Sequence, residues 1–279
     1  MKKKIAIGII ALLIVMYIVS VVVYKLQSKI ALIKINGVIS DYISTIKLID
    51  IAKNDDSIKA VVIKVDSPGG AVGASQEIYR AIEKLRDKKT VVVSMGNVAA
   101  SGGYYVSVPA NVIYADPGTV TGSIGVIIQH VDFSKVLNKI GVKVNNIKSG
   151  KNKDILYPNH PLTPEQKELL QRTVMDVYNQ FLDAIVKYRP IEKKVLKKYA
   201  DGRVFSGKQA LELKLVDKLG NTQDAIDEAK KLAGLDQEHP MIVELKKEKP
   251  LLEQILGSKL TGKLENIGTT SGLYYLMSF

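Results

Sequence analysis

The stretch NVAASGGYYVS, residues 97–107, sets Ser101 behind two alanines and ahead of two glycines and two tyrosines. A serine hydroxyl attacks a carbonyl only when a neighbouring group takes its proton. The same small residues also suit a tightly packed helix start, so the rest of the chain has to decide. Two more glycine-rich loops follow the same logic: DSPGGAVG at 66–73 and DPGTVTGSIGV at 116–126. Gly69 or Gly70, together with Gly102, can turn backbone N–H groups toward a developing oxyanion because no Cβ stands in the way. Neither G-x-x-x-x-G-K-[ST] nor G-x-G-x-x-G occurs, which sets a phosphate cradle aside.

Two groups compete for the role of base. His130 stands near Asp132 in IIQHVDF, which allows a Ser-His-Asp arrangement. The other is a lysine of KSGKNKDILYP, 148–158, in a glycine-containing loop that follows a predicted strand. A lysine base has to be neutral, so its pKa must fall from about 10.4 to about 7–8 through burial. On residue types alone His130 ranks first.

These loops need a frame. IALIKI (30–35), AVVIKVD (60–66), TVVVSM (90–95), NVIYAD (111–116) and GVIIQ (125–129) read as strands, with helical patterns at about 42–53, 73–87 and 100–109 between them. Near-continuous apolar strands alternating with helices predict an α/β fold, a parallel sheet covered on both faces. Catalytic loops then sit at the carboxyl ends of the strands, where all three glycine loops fall. Beyond about 160 the pattern is helical. Thr163, Pro164 and Gln166 start a helix that runs to about Tyr188, and others follow at about 191–200, 206–214 and 222–233. The plan is one α/β domain over 29–233 with a helical C-terminal extension. A tail at 234–279 ends in the apolar SGLYYLMSF. That tail reads as a docked segment or subunit contact. The sharper reading is a substrate mimic, laid across a neighbouring Ser101 and trimmed there.

Residues 1–28 set the compartment. Lys2, Lys3 and Lys4 precede an uncharged run from Ile5 to Tyr24. As a helix it spans about 30 Å, the thickness of the hydrocarbon core. The run is longer than a signal-peptide apolar region and ends without a small-residue cleavage site, so it reads as an uncleaved transmembrane helix. The lysines keep the N-terminus cytoplasmic and place the rest outside. There is no cysteine, which removes disulfides and thiolate chemistry. His130, His160 and His239 form no ligand-spaced pair, and no metal or other cofactor is expected. The net charge of +12 is scattered among acids without aromatic interleaving, which suits a solvated or lipid-facing surface and not nucleic acid.

SPGG at 67–70, NVAASGGYYVS at 97–107, ADPGTVTGSIGVI at 115–127 and KSGKNKD at 148–154 together resemble the signal peptide peptidase A family. The likeness covers about residues 30–230 and extends to the N-terminal anchor. It implies a membrane-anchored serine endopeptidase with a crotonase/Clp-protease-like fold of repeated β-β-α units and a Ser-Lys dyad. Carried over by position, Ser101 is the nucleophile, Lys153 the general base, and Ser123 the hydroxyl that orients the lysine. Asn152 stands where the family often carries an aromatic. His130 then becomes an ordinary surface or helix-start residue. The resemblance further implies remnant signal peptides and other apolar peptides as substrates. It also implies a ring-like homo-oligomer whose neighbouring subunits shape the sites. Two other classes compete: a crotonase-type acyl-CoA enzyme, with no need for a Ser-Lys pair or an anchor, and a membrane scaffold without serine chemistry.

Overall fold

The apolar runs build the centre of the molecule. The computed structural model describes residues 9–10, 12–17, 27–235, 239–246 and 274–276. Strands β1 (Lys29–Asn36), β2 (Ile58–Ser67), β4 (Thr90–Ala100) and β5 (Val112–Ala115) pair in parallel, with β2 between β1 and β4 and β5 on the other side of β4. These are the β-branched stretches expected, and Val61, Val62, Ile63, Val91, Val92 and Val93 are fully buried. Such runs with no polar alternation require cover on both faces. Helices α1 (Ile43–Asn54), α2 (Val72–Arg86), α3 (Gly102–Ser107) and α5 (Pro164–Tyr188) enclose the larger core on one face. On the other, α8 (Thr222–Leu232) brings Ala225 and Ala229 against Ile30, Ala60, Val62 and Val92.

Three short strands escape the sequence pattern. β3 (Gly69–Ala71) follows β2 directly, β6 (Val120–Gly122) extends the far half of β4, and β7 (Val204–Ser206) closes that edge antiparallel to β6. At the opposite edge β9 (Met241–Leu245) pairs with β1, while β8 (Lys218–Leu219) lies beside β5. The strand expected at 125–129 is not formed, apart from an isolated bridge at Ile127. Gly122 at φ +79° and Ser123 at φ +49° turn the chain out of the extended region, so it leaves the sheet there. The strand expected ahead of Lys148 is absent too. From 125 to 160 the chain forms an arm whose one regular element is the short α4 (Ser134–Lys139), with no buried residue in it.

Thr163 and Gln166 make the reciprocal capping box their spacing promised at the start of α5. Helices expected at 191–200 and 206–214 are shorter, as α6 (Lys193–Leu196) and α7 (Gly207–Glu212), while α8 matches its expected span. Among the described residues no helix is long and apolar enough to cross a membrane. The expected anchor falls mainly outside them: helical residues occur at 9–10 and 12–17, with their apolar side chains exposed. Of the tail, β9 and one further strand, β10 (Tyr274–Leu276), are described.

Candidate active site

β4 runs straight into Ser101, and α3 begins at the next residue. Ser101 adopts φ +53°, ψ −115° and is 1% exposed. A non-glycine residue held there costs on the order of 1–3 kcal/mol and persists only where its surroundings fix it. They do: its N–H donates to the Gly122 carbonyl at 2.8 Å, and its own carbonyl accepts from Tyr105 N–H at 2.8 Å. Ser107 Oγ, donating to the Gly103 carbonyl at 2.7 Å, and Tyr104 OH, donating to the Leu215 carbonyl at 2.8 Å, hold the buried helix behind it.

The bend of β4 ahead of the serine is set by side chains the sequence did not flag. Asp66 Oδ1 accepts from Val98 N–H at 3.1 Å and Asp66 Oδ2 from Asn97 at 3.2 Å, tying the end of β2 across to β4. Thr119 and Thr121 hydroxyls donate to the carbonyls of Gly96 and Ala99 at 2.7 and 2.6 Å. β6 pairs Ala100 with Gly122, so Ser101 and Ser123 step out of the sheet side by side, both at positive φ and both buried. The structure therefore brings together two of the expected site residues through strand register alone.

The glycine cradle lies on the other side of Ser101. A Cβ on Gly102 would sit 3.1 Å from both Gly69 Cα and Gly70 N, and one on Gly103 2.5 Å from the Ser67 carbonyl oxygen. The two loops pack backbone to backbone, a closeness that residues with side chains could not reach. Gly69 does not supply an oxyanion donor, because its N–H already donates to Ser67 Oγ at 3.1 Å. Gly70 lies next to it in β3, and the Gly102 amide opens α3, where it has no partner within the helix. Ser67, two residues before Gly69, thus fixes the loop's conformation.

The groove over this cradle is occupied. β10 of the tail pairs antiparallel with β3, Tyr275 opposite Gly70, and lies against α2 and α3 of its own chain. The tail is thus docked within the molecule, in the manner of a strand added to β3. Tyr275 is fully buried, its ring stacked on Tyr105 at 5.0 Å between centroids and tilted against Phe181 at 4.8 Å.

Lys153 lies on the arm, in the turn that follows Gly150, and is exposed. Its side chain makes no hydrogen bond or ion pair among the described residues, so within one chain nothing links it to Ser101 or Ser123. The turn itself is built on Asp154, 3% exposed. Lys148 Nζ donates to Asp154 Oδ1 at 2.6 Å and Asn146 to Oδ2 at 2.9 Å. The Lys148 and Asn146 bonds hold the Asp154 carboxyl low, at about 2. His130 is no nearer to chemistry: its Nε2 lies 3.1 Å from the Tyr157 carbonyl, and Asp132 caps Ser134 N–H at 2.9 Å instead of the imidazole. No group of three or more His, Cys, Asp or Glu suited to a metal occurs among the described residues.

The fold and the loops have counterparts in known proteins. The family model of peptidase family S49 matches residues 83–236, and that of Clp protease matches residues 19–112. A protein of Synechocystis sp. whose name marks it as a candidate protease is 39% identical over 88% of this chain and 90% of its own length. The chloroplast serine protease SPPA of Arabidopsis thaliana is 38% identical over 73% of this chain, and Protease 4 of Salmonella typhi 37% identical over 76%. The chain spans 31% and 34% of the length of these last two. A solved mutant of a membrane-bound stomatin-specific protease superposes with a TM-score of 0.55 at 15% identity, covering 80% of this chain and 99% of that one, which shows the shared α/β Clp-protease-like fold. A strained, buried serine between a glycine cradle and a second serine, on this fold and with these relatives, means that the chain belongs to peptidase family S49, the signal peptide peptidase A family of serine peptidases.

Proposed function

We propose that the protein is an endopeptidase in which Ser101 attacks the peptide carbonyl and Lys153 takes its proton, then returns it to the leaving amine. Gly70 and Gly102 N–H groups hold the oxyanion, and Ser123 orients the lysine. The observation that carries this reading is Ser101 itself, held at φ +53° at a strand–helix junction with a strand laid across the adjoining cradle. Such strain at a nucleophile is kept because it presents the hydroxyl to the bound carbonyl.

The lysine arrives from a neighbouring subunit in this reading. Lys153 is exposed on an arm that also exposes Phe133, Val136, Ile140, Val144 and Ile147, the last at 104% of its reference exposure. An arm with that much unshielded apolar surface is made to be covered by protein. A ring of such subunits encloses the serines and supplies each with its base. The substrates are apolar peptides, remnant signal peptides among them, bound as an added strand on β3. The Ile5–Tyr24 run supports anchoring in the membrane, with Lys2–Lys4 keeping the N-terminus cytoplasmic and the peptidase domain outside.

A fluorophosphonate probe tests the chemistry. The purified oligomer should take one label per chain, at Ser101, and lose all labelling in Ser101→Ala; labelling that survives this change overturns the assignment. Ser123→Ala should slow peptide hydrolysis by about 10–100-fold, since it removes the orienting hydroxyl and leaves both nucleophile and base in place. An unchanged rate removes Ser123 from the site.

A further inference from the structure

The turn that carries Lys153 is organised around the buried Asp154 carboxylate. Lys148 Nζ, which donates to that carboxylate, also donates to the Lys151 carbonyl at 3.3 Å. The backbone closes on itself around the same point. Lys153 N–H donates to the Gly150 carbonyl at 3.1 Å, Ile155 N–H to that of Asn152 at 3.2 Å, and Tyr157 N–H to that of Asp154 at 2.8 Å. All of these bonds stay within the turn. One further group faces the carboxylate from outside it: His160 Nε2 lies 3.4 Å from Asp154 Oδ2. His160 stands just ahead of the Thr163 capping box, where α5 begins, and Phe181, Leu182 and Ile185 seat that helix in the core. The ring thus connects the turn to a fixed part of the fold.

What its two nitrogens face decides which charge state suits the ring. Nδ1 lies 3.2 Å from the Pro161 carbonyl oxygen, which can only accept, so that contact places a proton on Nδ1. A neutral ring then turns the bare lone pair of Nε2 toward a carboxylate oxygen, and Nε2 is buried with no hydrogen-bond partner of its own. Only the imidazolium offers an N–H to both acceptors. Asp154, held at about 2, is ionised throughout the range in which an imidazole changes charge. Lys148 and Lys151 line the recess beside the ring from the turn, and Glu165 lines it from the first turn of α5. With Asp154 the two signs balance, so the ring's own contact with Asp154 decides.

We infer that His160 is a positioning residue for Lys153: as the imidazolium it joins Asp154 to the start of α5 and fixes the turn that presents the lysine, and on losing its proton it releases that turn. This rests on the reading of Lys153 as the general base. The sign follows from the contacts. The clamp is present while the ring is charged and is lost as pH rises.

The test compares the full-length oligomer with His160→Arg, which keeps a cation and donors at every pH, and His160→Leu, which keeps neither. Dividing each rate by that of His160→Arg at the same pH removes the ionisation of Lys153 itself. At about pH 5.5 the unmodified chain should match His160→Arg in kcat. By about pH 9 its kcat should fall to about one-tenth, the level His160→Leu shows throughout. KM should not change, because peptide binding on β3 is left intact. Hydrogen exchange at the Lys153, Ile155 and Tyr157 amides, again relative to His160→Arg, should accelerate in step with the loss of kcat. Thermal melts identify any general loss of fold in His160→Leu, and the unmodified chain against His160→Arg then carries the comparison alone. Equal kcat and equal exchange in all three proteins at every pH overturn the inference. The exchange readout also separates it from the reading it rests on. Exchange that follows His160, in a protein whose Lys153→Ala variant keeps full activity, supports the clamp and removes the lysine from catalysis. Rates that ignore His160, where Lys153→Ala is inactive, overturn the clamp's part in positioning the base.

Discussion

Ser101→Ala and Lys153→Ala should each reduce peptide hydrolysis by about 10⁴-fold or more while leaving the oligomer assembled, and the double variant should lose little beyond either. Groups that act as one unit are non-additive: without the base the hydroxyl is inert, and without the hydroxyl the base has nothing to activate. What remains comes from the glycine cradle and peptide binding alone. The geometry adds a sharper expectation. Lys153 is exposed on the arm and has no bond to Ser101 in its own chain. If a neighbour's lysine completes each site, subunits of Ser101→Ala and Lys153→Ala that are separated, mixed and reassembled should regain activity. Some interfaces would then join an intact serine to an intact lysine. Restored hydrolysis in the mixture, with none in either parent, supports completion across the interface. Activity that stays absent after verified mixing shows that serine and lysine must come from one chain. Lys153→Ala with near-full activity, alongside an inactive His130→Ala, replaces the dyad with a histidine base.

The sequence revealed some of this because parts of the site are local. Four parallel strands announced themselves as β-branched runs, and the α5 start as a capping box, since both signals lie within a few residues of what they specify. The approach of the glycine loops to Ser101 followed from placing loops at strand ends. Other features depend on distant partners. β3 and β6 are three residues each, too short for any periodicity, yet they hold the cradle and seat Ser123 beside Ser101. The ring cluster joins Tyr105, Phe181 and Tyr275, far apart in the chain, which only the fold assembles. Gly69 and Gly70 are equivalent by residue type, and only the folded loop distinguishes them, with Ser67 Oγ accepting from the Gly69 amide. The run at 125–129 has strand composition, but two successive positive-φ residues ahead of it send it away from the sheet.

Gly69→Ala should cost about 10²–10³-fold in kcat/KM, where Gly73→Ala, four residues on, should cost nothing. Gly69 sits at φ +101°, a conformation strained for any residue with a Cβ, and the added methyl meets Gly102 N at 2.6 Å. That atom is backbone and cannot swing aside, so either the β3 loop or the start of α3 has to move. In the proposed mechanism these carry the oxyanion donors Gly70 and Gly102, and misplacing one such donor accounts for a loss of this size. The same methyl lies 2.0 Å from where the Tyr275 carbonyl oxygen now rests, so it also obstructs any peptide strand added to β3. Gly73 lies within α2 and has nothing within 4 Å of its missing Cβ. Alanine there should stabilise the fold by about 0.5–1 kcal/mol through the helix preference alone. Steady-state hydrolysis and thermal melts of both variants separate the effects. A Gly69→Ala enzyme that keeps its rate would show that Gly69 does not border the peptide path. A Gly73→Ala enzyme as impaired as Gly69→Ala would show that the loss follows from any change in this loop and not from the cradle.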